Sequence, residues 1–136
     1  MERIEVKTTI NAPIDHVWDC WTSPLHIVNW NFASQDWHCP KAENNLIVGG
    51  EFHYLMAAKD GSSQFDFWGT YEHIETRKQL EILIGDGRKM SVIFENSEDG
   101  TTVVERFEPE NIHSKELQKS GWQMILDQFK FYVEQS

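Results

Sequence analysis

GWQMILDQFKFYVEQ, residues 121–135, decides the fold class of this sequence. Its large apolar side chains recur with the spacing of one helix face, at Trp122, Ile125, Leu126, Phe129 and Val133. Together with the preceding turns from Leu117 onward, they predict a C-terminal helix of about 20 residues, roughly 30 Å long. A helix of that length can cross a whole sheet, so its apolar stripe must face either a filled core or a cavity that holds a ligand.

Most of the sequence before this helix alternates with the period of β-strands. Five such runs follow one another at residues 51–58, 64–74, 79–84, 88–95 and 101–108. Turn residues that tolerate positive φ lie between neighbouring runs, at Asp60-Gly61, Asp86-Gly87 and Asp99-Gly100. Because the runs are consecutive and the turns are tight, they predict an antiparallel meander.

Alternation within a run separates the two faces of the sheet. The run at 64–74 predicts one face with Phe65, Phe67 and Tyr71 and the other with Trp68, Thr70 and Ile74. A single bulge would reverse this assignment downstream, so the alternation does not decide which face is concave.

The N-terminal part predicts one further strand and two short helices. Residues 3–10, RIEVKTTI, alternate like a half-buried strand. A helix is expected to follow between Asn11, which can cap it, and Pro24, and a second helix of a turn or two over residues 24–30. Residues 31–45, NFASQDWHCPKAENN, show no period and are expected to form a long loop.

Composition and charge limit the function classes. The chain of 136 residues is expected to be a single domain, 1–136, and its 6 Trp, 8 Phe and 3 Tyr are unusually bulky core material. A formal net charge of -10 disfavours nucleic acid and anionic membranes as partners. No apolar run of membrane-spanning length and no signal peptide is evident, so a cytoplasmic protein without membrane insertion is expected, with Cys20 and Cys39 as reduced thiols.

The order of these elements and several strings resemble the START-like helix-grip superfamily, in particular its bacterial activator of Hsp90 ATPase homologue 1-like branch. The strings that carry the resemblance are INAPIDHVWDCWTSPLHIVNW, NNLIVGGEFHYLMAAKDG, FWGTYEHI and SGWQMILDQFKFYVE, which together span most of the chain. The resemblance implies an α+β, Bet v 1-like fold, in which a six-stranded curved antiparallel sheet wraps around the long C-terminal helix and two short helices follow the first strand. It also implies an elongated, mostly apolar cavity between helix and sheet.

Candidate ligand-binding residues follow from this resemblance and from the strand and helix faces. They are Trp30, Trp37, Phe52, Tyr54, Met56, Phe67, Met90, Val92, Phe94, Trp122, Ile125 and Phe129. Gly121 is expected either to permit close packing of the helix or to leave room for a ligand, because a mid-helix glycine costs about 1 kcal/mol relative to alanine.

No sequence motif indicates catalysis, a metal or a cofactor. The six histidines have no short metal-ligand spacing, and a zinc site or a nucleophile at His38 and Cys39 is disfavoured. Asp36 beside Trp37 is expected either to orient a ligand or to anchor its loop. Glu105 and Arg106, on opposite faces of one strand, are expected to be exposed charges at a strand end. The alternative is an inward carboxylate, which would need a partner or a raised pKa and would mark a site, together with Asp66, Tyr54 and His53.

Three alternative functions are therefore considered. The sequence favours a module that binds a hydrophobic or aromatic small molecule over an enzyme. The resemblance supplies two alternatives, a co-chaperone acting on an Hsp90-like chaperone and an enzyme like the polyketide cyclases and aromatases that share the fold. An inward pair of Arg106 and Tyr54 would favour the enzyme.

Overall fold

The computed structural model describes residues 2–136, which form one antiparallel sheet of seven strands and three helices. The strands are β1 Ile4–Ile10, β2 Trp37–Asn44, β3 Glu51–Ala58, β4 Gln64–Glu75, β5 Gln79–Ile84, β6 Lys89–Ser97 and β7 Gly100–Phe107. The helices are α1 Ile14–Thr22, α2 Pro24–Ile27 and α3 Lys115–Gln135. The sheet order β1-β7-β6-β5-β4-β3-β2 is a meander in which the first strand pairs with the last.

Helix α3 lies across the concave face of the curled sheet, as its apolar stripe predicts. Ser114 caps its first turn, accepting a hydrogen bond from the backbone N–H of Leu117 at 3.1 Å. Its buried side chains include Leu126, Phe129 and Val133, which join the central core. Among residues 2–136, no helix is long and apolar enough to cross a membrane.

Two side chains of α3 also reach the outermost strand. The amide Nε2 of Gln123 donates to the carbonyl of Lys7 at 3.2 Å, and the Nζ of Lys130 donates to the carbonyl of Thr9. Both acceptors belong to β1, which pairs with β7 alone. These contacts connect the C-terminal helix to the N-terminal edge of the sheet.

The expectation of six strands is wrong by one, because residues 37–44 form the edge strand β2 within the expected loop. Its register with β3 shifts between His38 and Lys41, which removes the regular alternation that marks a strand. Pro40 lies within this irregular part, and an edge strand tolerates proline because its outer side forms no ladder. The second helix is also shorter than expected and ends at Ile27.

A second irregularity corrects the face assigned to Ile74. The register of β4 with β5 shifts between Tyr71 and His73, so one extra residue stands in β4. As a result Tyr71 pairs with Ile82 and Ile74 pairs with Leu80, which places both β4 residues on the inner face. Ile74 packs against the core on the same side as Tyr71, not on the opposite side.

Candidate functional site

A cavity of about 230 Å³ lies between α3, the inner face of the sheet and the residues around α1 and α2. Nine of the twelve predicted site residues line it, namely Trp30, Phe52, Tyr54, Met56, Phe67, Met90, Val92, Trp122 and Ile125. Seven further lining residues were not among these twelve, namely Trp21, Asn31, Phe65, Tyr71, Ile82, Arg88 and Glu105, the last of which the sequence offered only as an alternative. Eight of these sixteen side chains are aromatic, so rings form half of the wall.

The structure places the remaining three predicted residues outside the cavity wall. Phe129 is fully buried in the core and packs edge-on against Trp21, with ring centroids 4.9 Å apart. Phe94 is buried against Trp18 at 5.2 Å. Trp37 lies beside Phe65, a half-exposed residue of the wall, with their rings 5.9 Å apart. Phe94 and Phe129 thus support the wall from behind.

Ring packing fixes the orientation of the cavity wall. Trp122 stacks on Phe107 with a centroid separation of 3.8 Å and meets Phe67 edge-on at 6.0 Å. On the opposite side, Trp30 stacks with Trp21 at 5.1 Å, and the indole Nε1 of Trp30 donates to the carbonyl of Cys20 at 3.0 Å. The apolar stripe of α3 therefore faces two surroundings, a filled core at its C-terminal end and the cavity at its middle.

Glu105 brings a carboxyl group into this aromatic wall. It lies on β7 between Val6 of β1 and Val92 of β6, and its side chain is only 6% exposed. No hydrogen bond to the carboxyl group is present among residues 2–136, and none of their fully buried side-chain oxygens lacks a partner, so the carboxyl oxygens of Glu105 are open to the cavity. Burial alone raises the pKa of Glu105 to about 8, so the free protein carries it mainly as the neutral acid at pH 7.

The expectation of an exposed Glu105 is therefore wrong, because alternate residues of a strand lie on the same face of the sheet. Glu105 shares its face with Val103 and Phe107, both fully buried, so the pleat directs it inward. Arg106 points outward as expected, and its Nε donates to the Oε1 of Glu5 at 2.8 Å. The inward pair of Arg106 and Tyr54 that would favour the enzyme alternative does not form.

Other polar groups at the wall are mostly paired or neutral. The hydroxyl of Tyr71 donates to the Oδ1 of Asn44 at 2.7 Å, and burial raises the pKa of Tyr71 to about 12. Burial also raises the pKa of Tyr54 well above its ordinary value. Arg88 uses its Nε for Asp86 at 2.8 Å, which holds its charge at the periphery. Asn31 is buried, with only 6% exposed, and lines the cavity beside these groups.

The remaining polar candidates lie away from the cavity. The ring of His53 binds Asp66 at 2.7 Å and Glu51 at 2.9 Å on the outer face, and the bond to Asp66 is the main cause that raises the pKa of His53. Burial raises the pKa of Cys39 to about 11, which keeps its thiol protonated at neutral pH. In the described part of the chain, no group of three or more His, Cys, Asp or Glu side chains is arranged to hold a metal ion.

Local contacts bear on the expectations for Asp36 in the loop and Gly121 in α3. The backbone carbonyl of Asp36 accepts a hydrogen bond from the backbone N–H of Lys59 at 2.8 Å, which connects this loop to the end of β3, while the role of the Asp36 side chain stays a prediction. A methyl group at Gly121 would meet no atom within 4 Å, so the expectation that Gly121 permits close packing is wrong. Gly121 is also absent from the cavity wall.

Comparison with known proteins gives the family. Residues 11–134 match the family model of activator of Hsp90 ATPase homolog 1-like protein. The AHSA1-like protein from Aeromonas hydrophila is 44% identical, with a TM-score of 0.92 over 98% of this chain and 92% of that chain. A protein from Cytophaga hutchinsonii is 48% identical, with a TM-score of 0.84 over the same shares, 98% and 92%.

More distant structures share the fold alone. A protein from Chromobacterium violaceum has a TM-score of 0.86 at 20% identity, and the match covers 98% of this chain and 99% of that chain. A search of curated proteins gave no significant match. The family model and the two relatives above 40% identity agree with the curled sheet, the long C-terminal helix and their connection, and the chain therefore belongs to the activator of Hsp90 ATPase homolog 1-like family.

Proposed function

We propose that this protein binds a small hydrophobic or aromatic molecule in the cavity under α3. The observation that carries the proposal is a volume of about 230 Å³ lined by sixteen side chains, half of them aromatic. An apolar cavity of about 150 Å³ accommodates benzene, so this one suits a body of about nine non-hydrogen atoms. Rings of that size would lie against Trp30, Phe52 and Trp122.

The cost of keeping such a cavity supports a role for it. An unfilled apolar volume lowers the free energy of unfolding, because the side chains that line it lose packing contacts. Collapse of the wall would require the stacked pairs Trp122–Phe107 and Trp21–Trp30 to give up their ring contacts. A ligand that fills the volume would recover part of that free energy.

Methionine methyl NMR tests the proposal directly. Met56 and Met90 line the cavity, whereas Met124 lies on the same protein with 44% of its surface exposed and serves as an internal control. Titration with indole or naphthalene is expected to shift the methyl signals of Met56 and Met90 saturably and leave Met124 unchanged. Native mass spectrometry of the purified protein, followed by organic extraction, would identify a molecule that co-purifies.

A cavity-filling variant provides the matched comparison. Ile125→Trp replaces an aliphatic side chain by a larger indole ring at the helix side of the cavity. This variant is expected to abolish the response to indole. Leu117→Trp makes the same kind of change at an exposed position of α3 and should leave binding intact. If indole and naphthalene shift neither Met56 nor Met90 in the natural protein, the cavity does not bind such rings and the proposal is wrong.

Action on an Hsp90-type chaperone is a second candidate, favoured by the family match over residues 11–134. Binding would use the protein surface, where Leu25 and Ile112 are large apolar side chains, 83% and 85% exposed. The expected result is a faster ATPase of an Hsp90-type chaperone in the presence of this protein. An unchanged ATPase rate at saturating protein would exclude this function without bearing on the cavity.

A further inference from the structure

We propose that the ligand is an organic amine whose ammonium group pairs with Glu105 inside the aromatic cavity. The inference rests on the proposed function and assigns the chemical class of the molecule bound there. It is carried by two observations that belong to the same wall, an unpaired carboxyl group and a set of ring faces.

The first observation is the placement of the carboxyl group. Only 6% of the surface of Glu105 is exposed, the residue lines the cavity, and no hydrogen bond to its carboxyl group is present among residues 2–136. None of their fully buried side-chain oxygens lacks a partner, so the carboxyl oxygens open onto the cavity. An apolar side chain at this position would continue the wall formed by Val92 and Met90 without the desolvation that the carboxyl group suffers. A partner supplied from the cavity would pair it, because the other directions are closed by Val6 and the neighbouring strand residues.

The second observation is the chemistry of the surrounding rings. The faces of aromatic rings attract cations, and indole rings do so most strongly. Trp21, Trp30 and Trp122 contribute indole rings to the cavity, together with Phe52 and Phe67. A carboxylate within such rings fits an organic cation with an apolar body, since the ammonium group meets the charge and the rings.

The other charged or titratable groups of the wall do not compete for this role. They are Tyr54 and Tyr71, whose pKa values are raised by burial so that both stay neutral, and Arg88. Arg88 is engaged by Asp86 and by the backbone carbonyl of Glu108, at 2.8 and 3.1 Å. Glu105 is thus the carboxyl group of the wall, and once it is ionised it repels an anionic ligand and attracts a cationic one.

Binding of an ammonium group would be coupled to release of one proton. The free protein holds Glu105 mainly as the neutral acid near pH 7, because its pKa is about 8. Pairing with a protonated amine converts this acid to a carboxylate and releases its proton to the buffer. Below pH 8 the affinity is therefore expected to rise up to tenfold for each pH unit.

Three probes of similar size separate charge from shape. Phenethylamine is a cation, phenylethanol is its neutral counterpart, and phenylacetate is an anion. Isothermal titration calorimetry at pH 6, 7 and 8 measures each affinity, and buffers of different ionisation enthalpy count the protons released. Phenethylamine is expected to bind at least tenfold more tightly than phenylethanol at pH 8, with phenylacetate weakest.

Two variants assign the preference to Glu105. Glu105→Gln removes the ionisable group and is expected to abolish the preference for the amine and the pH dependence, while phenylethanol still binds. Glu95→Gln makes the same change of charge at an exposed position of β6. It should keep both the preference for the amine and the pH dependence of binding. The pH dependence of the natural protein supplies an independent test if Glu105→Gln does not fold.

The outcomes distinguish this inference from the proposed function. Equal affinities for phenethylamine and phenylethanol at all three pH values would overturn the amine assignment and leave the binding function standing. Saturable binding of phenylacetate in preference to the amine would do the same. Absence of any response at Met56 and Met90 to every probe would overturn both.

Discussion

Replacement of Glu105 by glutamine is expected to change how stability depends on pH. The ordinary pKa of a glutamate is 4.5, and burial raises that of Glu105 to about 8 in the folded protein. The folded state therefore keeps its proton over a range in which the unfolded chain releases it. The contribution of this group to the free energy of unfolding is fully present below about pH 4.5 and is lost as pH rises towards 8. Integration of this linkage gives a loss of a few kcal/mol, on the order of 3 to 4, between pH 5 and pH 8.

Urea unfolding at pH 5, 6, 7 and 8 measures this loss. Tryptophan fluorescence follows the transition, and the linear dependence on urea gives the free energy of unfolding at each pH. The informative quantity is the difference between the natural protein and Glu105→Gln, because other titrating groups cancel in it. We expect this difference to fall by about 3 to 4 kcal/mol from pH 5 to pH 8.

Glu95→Gln is the control, since it removes an exposed carboxyl group of the neighbouring strand. Its stability should run parallel to that of the natural protein. Parallel curves for the natural protein and Glu105→Gln over this pH range would refute the reasoning, because they would mean that the carboxyl group is solvated or paired in the folded protein.

Two glycines are expected to respond to alanine in opposite directions. Gly121→Ala should stabilise the protein by about 1 kcal/mol, since α3 gains a better helix former and the added methyl meets no atom within 4 Å; an unchanged or lower urea midpoint would contradict this. Gly100→Ala should destabilise it by about 2 kcal/mol, because Gly100 has a φ of 131° and a methyl there would collide with the carbonyl of Ile10. Thermal unfolding measures the destabilisation by Gly100→Ala, and an unaltered melting temperature would refute it.

Strong periodicity made most of the fold predictable. The stripe on α3 and the five alternating runs after Gly49 are long patterns, each supported by turn residues at its ends. Their consecutive order determines the antiparallel meander. The strand β2 could not be found in this way, because Pro40 and the register shift before Lys41 interrupt its alternation. Its identity as a strand comes from pairing with β3, which is a tertiary contact.

The cavity was predictable in outline but its polar group was not. Met90 and Val92 were assigned to the wall because the resemblance to helix-grip proteins implied one. Glu105 was expected to be exposed because charged residues are seldom buried. Its position two residues from both Val103 and Phe107, on the same face of β7, indicated a buried side chain instead. Trp21 was also missed, since the helix that carries it indicates a packed face and not which neighbour it meets.

The contacts of Gln123 and Lys130 with β1 bear on the behaviour of this protein at high concentration. An open sheet leaves two edges that can pair with another chain and start aggregation. On β1, side chains of α3 already occupy the carbonyls of Lys7 and Thr9. On β2, Pro40 and the neighbouring bulge disrupt the row of groups that a second strand would need. Both edges thus carry features that disfavour pairing with a strand of another chain.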